Sequence, residues 1–346
     1  MTTIKTFSRA LSIDRIYTKP VKLMVIIDSD HIHLLDEIIR LRAPRIQVVY
    51  ILTDSPEIRV NYKNRSRIYP LRINIRSLLR HDIVDEILCC TSSIPVNLLD
   101  SLKQVSYQFG VPLLIPYYSR VPGMDVLNTR RIGNMIFYVL ESTPRRQFIF
   151  ILKNIWEAAF AAFALVILFP LLLLVSVAIK IDSRGPVLFR QLRVGRRGRK
   201  FYIYKFRTMV VNAERLRDSL KNLNEADGPA FKMRNDPRIT RVGRILRKTG
   251  FDEIPQLYNV IAGHMSLIGP RPLLPSEVSE QEEWQLKRLC IKPGITCTWQ
   301  IKPERNSVPF DEWMKLDREY VENWSVFKDV RIFFGTIKAF FAARGA

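Results

Sequence analysis

The chain has 346 residues, of which 54 are Lys or Arg and 33 are Asp or Glu, a formal net charge of +21. That length gives room for two domains with their own cores, and the charge calls for an anionic partner: nucleic acid, anionic lipid or a phosphorylated small molecule. One long apolar run, Ala158–Ile179, followed by a dense basic tract, argues against nucleic acid and brings membrane and lipid phosphate forward.

Four cysteines, Cys89, Cys90, Cys290 and Cys297, make no C-x-x-C pair and have no His at zinc-ligand spacing. They are predicted to be reduced core residues of a cytoplasmic protein. Met1 to Pro20 has no apolar h-region, so no secretory signal is expected.

Val21–Ile27 reads as a strand, followed by a helix with Leu34, Leu35, Ile38, Ile39 and Leu41 on one face, then by a strand at Ile46–Leu52. A second cycle has a strand at Glu86–Cys90, a helix from about Val96 to Phe109 and a strand at Val111–Ile115. The alternation predicts an α/β domain, a small parallel sheet wrapped by helices. The first turn, Asp28–Asp30, offers two acids where a dinucleotide site needs glycines, so a structural or regulatory module is expected. His31 and His33 receive no role. Pro116 to Phe150 has the composition of a linker, with one apolar stretch at Met135–Leu140. A first domain of residues 1–145 follows, with 146–157 leading into a membrane segment.

Ala158–Ile179 is apolar except for Ser176 and, at ~1.5 Å per residue, would just cross a ~30 Å hydrocarbon layer. Pro170 opposes a straight crossing, because it removes a backbone hydrogen bond and bends the helix, and a bent helix can leave by the face it entered. Basic residues flank both ends, more heavily after it (Lys180, Arg184, Arg190, Arg193), which makes that side cytoplasmic. The residues themselves leave re-entrant, spanning and buried-core readings open. The tail, Val330–Phe341, reads either as a helix lying in the membrane interface, with Lys338 and Arg344 near headgroups, or as an amphipathic helix packed on its domain.

The chemistry gathers near Arg244–Lys248 (RILRK) and Thr249–Gln256 (TGFDEIPQ). Asp252 precedes Pro255 near an expected helix start, where unpaired N–H groups favour an anion; an ordinary N-cap is the alternative. Glu253 is a hard oxygen donor suited to Mg²⁺, and Arg247 and Arg271 are fork-shaped donors for phosphate oxygens. Pro270 and Pro272 stiffen the loop that presents Arg271. With Lys205 and Arg207 these residues compose a pyrophosphate site.

Six segments in order, KIDSRGPVLFRQLRVG (180–195), YKFRTM (204–209), DPRITRVG (236–243), FDEIPQLYNV (251–260), MSLIGPRP (265–272) and KPGIT (292–296), resemble the bacterial sugar transferase family, the monotopic polyprenyl-phosphate phosphoglycosyl transferases. The resemblance runs from about Ile151 to the carboxyl terminus. It implies transfer of a phospho-sugar from a UDP-sugar to undecaprenyl phosphate, with release of UMP, through a covalent aspartyl intermediate. Such a step would initiate exopolysaccharide, capsule, O-antigen or a related glycan. Asp252 matches the family nucleophile, Glu253 the metal-associated Glu, Lys205 the Lys of the Lys-Phe-Arg motif, and Arg247 and Arg271 phosphate-contacting arginines. Asp317, in LDREYVEN (316–323), matches a further acidic active-site position, and Arg207 and Arg305 join the phosphate- and nucleotide-binding set. Phe169 and Pro170 match the bend of a re-entrant membrane helix, which brings the re-entrant reading forward.

The implied fold is a Rossmann-like amino-terminal domain, without the helical membrane bundle of longer members, ahead of a mainly α catalytic domain. The latter would hold a re-entrant helix at 158–179, a catalytic region at 180–346 and interfacial amphipathic helices. Mg²⁺, or Mn²⁺ in its place, is the expected cofactor; UDP-sugar, undecaprenyl phosphate, the bilayer and a second copy of the chain are the expected partners. The expected location is the bacterial inner membrane, with both domains facing the cytoplasm. Phe169 where Ser is frequent, His264 where Asp is frequent and Cys297 where Gly is expected depart from the pattern without removing a catalytic group. The competing reading is a non-catalytic membrane adaptor that binds anionic lipid; the intact Asp252–Glu253 pair argues against it.

Overall fold

The computed structural model describes residues 20–42, 46–64, 66–91, 94–117, 129–132, 135–140, 147–213, 215–216, 233, 236–279, 283–302 and 308–341. The chain divides into two compact units, Met1–Thr143 and Pro144–Ala346.

In the first unit the described residues form one seven-stranded sheet. Its strands are β1 (Val21–Ile27), β2 (Ile46–Leu52), β3 (Arg67–Tyr69), β4 (Glu86–Cys90), β5 (Leu113–Pro116), β6 (Thr129–Ile132) and β7 (Met135–Leu140), in the order β3-β2-β1-β4-β5-β7-β6. The first five are mutually parallel, and β7 and β6 close the edge as an antiparallel hairpin. Helices α1 (Ile32–Arg42), α2 (Pro56–Tyr62), α3 (Ile75–His81) and α4 (Val96–Phe109) connect the parallel strands. Covered on both faces, residues 23–27 of β1 and 87–90 of β4 read as unbroken apolar runs rather than alternating ones; Val25, Ile27, Leu35, Ile51, Leu88, Leu114 and Phe137 share the core. This is the expected α/β domain, with α2, β3 and α3 added between its two cycles. Met135–Leu140 is not linker but the strand that pairs with β5, since it places Phe137 in the core. After β1 the turn closes on itself, with His31 Nδ1 2.5 Å from Asp28 Oδ1.

The second unit opens on α5 (Gln147–Asp182), a 36-residue helix with Pro170 inside it. Its most apolar 18-residue window has a mean hydropathy of 2.9 and is 6% buried, so it is long and apolar enough to cross a membrane. It starts at Gln147, so residues expected to lead into the membrane segment are its first turns. Both halves pack on the same unit. Ala161, Ala164 and Leu165 meet Leu257, Val260 and Ile332; Leu172, Val175 and Ile179 meet Phe206 and Leu246. Near its start, Lys153 Nζ lies 2.6 Å from Asp329 Oδ2 and 3.0 Å from Glu157 Oε1, all buried. At its other end Asp182 Oδ2 accepts from Val242 N at 2.9 Å.

An antiparallel hairpin, β8 (Leu188–Val194) and β9 (Lys200–Phe206), follows, turning through Arg197 and Gly198 at positive φ. Then come α6 (Arg241–Thr249), a 3₁₀ turn Phe251–Gln256, α7 (Leu257–Ile261), β10 (Ser266–Ile268), α8 (Pro275–Ser279), a 3₁₀ segment Glu283–Cys290, β11 (Gly294–Thr296), α9 (Phe310–Glu322) and α10 (Val326–Phe341). On α10, Ile332 and Phe333 face the core while Phe327, Val330, Phe334 and Ile337 form an exposed apolar stripe. The tail helix therefore packs on its unit and keeps an open apolar face as well. All four cysteines are buried and free.

Candidate active site

The site is assembled from β9, α6 and the turn after it. Thr240 caps α6, its Oγ1 accepting from Gly243 N at 3.0 Å. A Cβ on Gly243 would meet Thr208 O at 2.1 Å, so only glycine lets α6 lie this close to the chain leaving β9. That approach brings Arg247 Nε to 2.9 Å from Thr208 Oγ1. Gly250, at φ 76°, ends α6 in the left-handed conformation that glycine adopts freely and swings the chain into Phe251–Gln256. Asp252 lies inside that 3₁₀ turn, whose N-cap is Gly250; the carboxylate is not itself the cap.

Asn259, fully buried on α7, holds this turn to the hairpin. Its Oδ1 accepts from Tyr204 N at 3.2 Å and its Nδ2 donates to Tyr202 O at 2.7 Å. The result is that Lys205, the next residue of β9, reaches Glu253: Nζ to Oε1 is 2.6 Å.

Asp252 is 8% exposed, and burial pushes its pKa up to about 6. Lys205 draws it down, the Glu253 carboxylate adds to the rise, and Arg247 draws it down again. Arg247 has its own pKa lowered by burial, offset by Asp252 and Asp236. Behind it, Asp236 and Arg238 form a buried two-bond pair, Nε to Oδ1 2.8 Å and Nη2 to Oδ2 2.6 Å, which lowers the Asp236 pKa.

On the other side, Arg193 on β8 feels Glu253 and Arg271, and burial, then Arg271, bring its pKa down to about 10. The Arg271 guanidinium carbon is 5.8 Å from the Trp299 ring, which stacks on Trp313. Arg288 Nη2 lies 2.7 Å from Asp317 Oδ2, in ion contact without hydrogen-bond alignment. Asp317 is 1% exposed, and burial pushes its pKa up to about 6 against the pull of Arg288 and Arg271. Asp252, Glu253, Lys205 and Arg247 thus form one group of interacting charges, and Arg271 joins the row through Arg193, which feels both Glu253 and Arg271.

Other expected residues lie elsewhere. Arg207 does not join the row. It is buried and donates to Arg184 O at 2.7 Å, Ser183 O at 2.7 Å and Ser183 Oγ at 2.8 Å, tying the end of α5 to β9. Asp317 faces Arg288 rather than open surface. Phe169 is exposed on α5 beside Pro170, and Arg305 lies outside the described residues. His264 stacks on Phe201 at 5.6 Å, and Cys297 is buried with Sγ 3.4 Å from Gln300 Oε1. Sequence reasoning missed Asn259, Arg193 and Arg288. An Asn within the apolar segment PQLYNVI was the one available signal; the two arginines looked like any others in a basic tract.

A model of the bacterial sugar transferase family matches residues 148–343. The chain is similar to the galactosyl transferase CpsE of Streptococcus agalactiae serotype III, with 46% identity over 162 residues, 47% of this chain and 36% of that protein. It is similar to the undecaprenyl-phosphate galactose phosphotransferase of Salmonella typhimurium, 40% over 202 residues, 56% of this chain and 41% of the relative. It is 35% identical over 222 residues to the exopolysaccharide production protein ExoY of Rhizobium meliloti, covering 63% of this chain and 98% of ExoY. The match thus spans about two fifths or less of the two longer relatives and nearly all of the shorter one. The matched region is over half of the chain and holds every member of the charged row, and on that ground the chain belongs to the bacterial sugar transferase family.

Proposed function

We propose that this protein transfers a sugar phosphate from a UDP-sugar to undecaprenyl phosphate, releasing UMP, through a phospho-sugar adduct on Asp252, as the first membrane step of a surface polysaccharide. The observation that carries this reading is a buried carboxyl with its pKa raised to about 6 yet bracketed by Lys205 and Arg247. Near pH 7 such a group is mostly ionised, and it is poorly solvated, which is what a nucleophile needs. Two relatives named as undecaprenyl-phosphate galactose and glucose phosphotransferases support the substrate class.

In the first step an Asp252 oxygen attacks the phosphorus that carries the sugar. An O–P bond forms, the bond to the bridging oxygen breaks, and that oxygen leaves on UMP. Arg247 and Arg271 take phosphate oxygens during the displacement, and Lys205 holds Glu253 while favouring the ionised form of Asp252. In the second step an oxygen of undecaprenyl phosphate attacks the same phosphorus. The Asp252 O–P bond breaks, and undecaprenyl-diphosphate-sugar departs with the carboxylate restored.

The donor set suits Mg²⁺. Among the described residues no three His, Cys, Asp or Glu side chains converge, and the neighbouring carboxylates offer oxygen only. Glu253 would hold the ion, with water and substrate phosphates filling the remaining positions, as is usual for Mg²⁺. When bound, the ion offsets the charge of the diphosphate as UMP departs.

The reading includes a re-entrant α5, with both flanks on the cytoplasmic side of the inner membrane and the open apolar face of α10 in the interface. Support comes from the anchoring of α5. A straight helix from Lys153 to Asp182 would separate its two anchors by ~44 Å, yet both anchors, and the packing of both halves, lie on one unit. Cysteine reporters at Ser142 and Arg184, in an otherwise cysteine-free chain, should both resist an impermeant reagent in intact spheroplasts. Reaction of Ser142→Cys from outside would show a spanning helix instead.

The chemical step is tested with UDP-sugar alone. Intact-mass analysis should find wild-type protein heavier by one phospho-sugar, while Asp252→Asn gains nothing and releases no UMP. Undiminished UMP release by Asp252→Asn overturns the assignment.

A further inference from the structure

The segment Arg271–Leu274 carries the arginine assigned above to substrate phosphate, and each of its four residues has a backbone group held by a partner from outside it. Arg271 O accepts from Arg288 Nη2 at 2.5 Å, Pro272 O from Arg193 Nη1 at 3.1 Å, and Leu273 O from Val194 N at 2.8 Å. Leu274 N donates to Glu277 Oε2 at 2.7 Å. Pro270 and Pro272 have fixed φ and no N–H, so the carbonyls are the handles by which this loop can be gripped.

Two of the grips are guanidiniums at 9% and 5% exposure, where a hydrogen bond from a charged donor is strong and its loss leaves a buried charge short of a partner. Each has its own counter-charge. Glu277 Oε2 is 3.6 Å from Arg193 Nη1, and Asp317 Oδ2 is 2.7 Å from Arg288 Nη2. The Arg193 and Arg271 charges also repel one another. Without an anion, Arg271 would relax away from Arg193 unless its backbone were held.

We propose that Arg193 and Arg288 are positioning residues that clamp the Arg271 loop so that its guanidinium meets the diphosphate of the nucleotide-sugar, and that Asp317 acts as the counter-ion of Arg288 rather than on substrate. This rests on the reading of Arg271 given under the proposed function.

The test is a double-mutant cycle on the full chain in nanodiscs, measuring UMP release with UDP-glucose or UDP-galactose, whichever turns over faster. Arg193→Gln and Asp317→Asn are each made in wild-type and Arg271→Gln backgrounds. In the wild-type background each should raise KM for the UDP-sugar by about tenfold or more and leave KM for undecaprenyl phosphate within about twofold. In the Arg271→Gln background each should add almost nothing, because the group it positions is gone. Arg193→Lys, which keeps a donor and the charge, should recover part of the loss. Full additivity, or equal shifts in KM for both substrates, overturns the clamp. If Arg271→Gln alone leaves the UDP-sugar KM unchanged, the phosphate role of Arg271 fails and the clamp fails with it. Should Arg193→Gln not accumulate as folded protein, the Asp317→Asn cycle decides by the same criteria.

Discussion

Replacing Lys205 by Met tests whether the neighbours of Asp252 set its readiness to attack. The Lys205–Glu253 pair is 2.6 Å long with side chains 19% and 29% exposed, and Lys205 is the strongest influence drawing the Asp252 pKa down against burial. The other charges facing Asp252 are Glu253, which raises its pKa, and Arg247, which lowers it. Met keeps most of the length and removes the charge. With an effective dielectric of ~20 and a separation of roughly 5 Å, the lost attraction is ~3 kcal/mol. Partial exposure screens this to about 1.5 kcal/mol, or about one pH unit. Attack needs the ionised carboxyl, so the rate of the first UMP burst rises with pH through the Asp252 pKa. In wild type that rise should centre near 6; in Lys205→Met it should move up by about one unit, toward 7, with a lower plateau. The assay is rapid-quench UMP formation without undecaprenyl phosphate, from about pH 5 to 9. A variant that still forms the adduct, with the acid limb unmoved or shifted to lower pH, refutes the reasoning.

Chelation should abolish UMP release, and Mg²⁺ or Mn²⁺ should restore it; full turnover in excess chelator would remove the metal from the reaction. Lys153→Met should destabilise the second unit by roughly 3–5 kcal/mol, because it leaves the buried Glu157 and Asp329 carboxylates without their shared cation. Heat denaturation of the full chain in detergent reads this directly, and a midpoint within about one degree of wild type would show that the network contributes little.

Features carried by local pattern were readable from sequence alone. The apolar runs of β1, β2 and β4, the amphipathic spacing of α1 and α4, and the uninterrupted hydropathy around Pro170 depend on residues within a few positions of one another. The Asp252–Glu253 pair, the adjacent arginines and their order along the chain were equally plain, and they were enough to indicate the family. Tertiary structure decided what depended on partners distant in sequence. Arg207 shares a motif with Lys205, yet it faces the end of α5, because β9 ends at Phe206, so Arg207 is not held to the strand's alternation, and its acceptors lie 23 and 24 residues earlier. Met135–Leu140 is a strand only because β5 offers it a free edge. Lys153 and Asp329, 176 residues apart, form one buried pair, and Arg288 grips Arg271 across 17 residues. A charged side chain has the same local signature whether it remains in water or is buried against a carbonyl; its role is set by which elements pack around it, and that is a property of the folded chain.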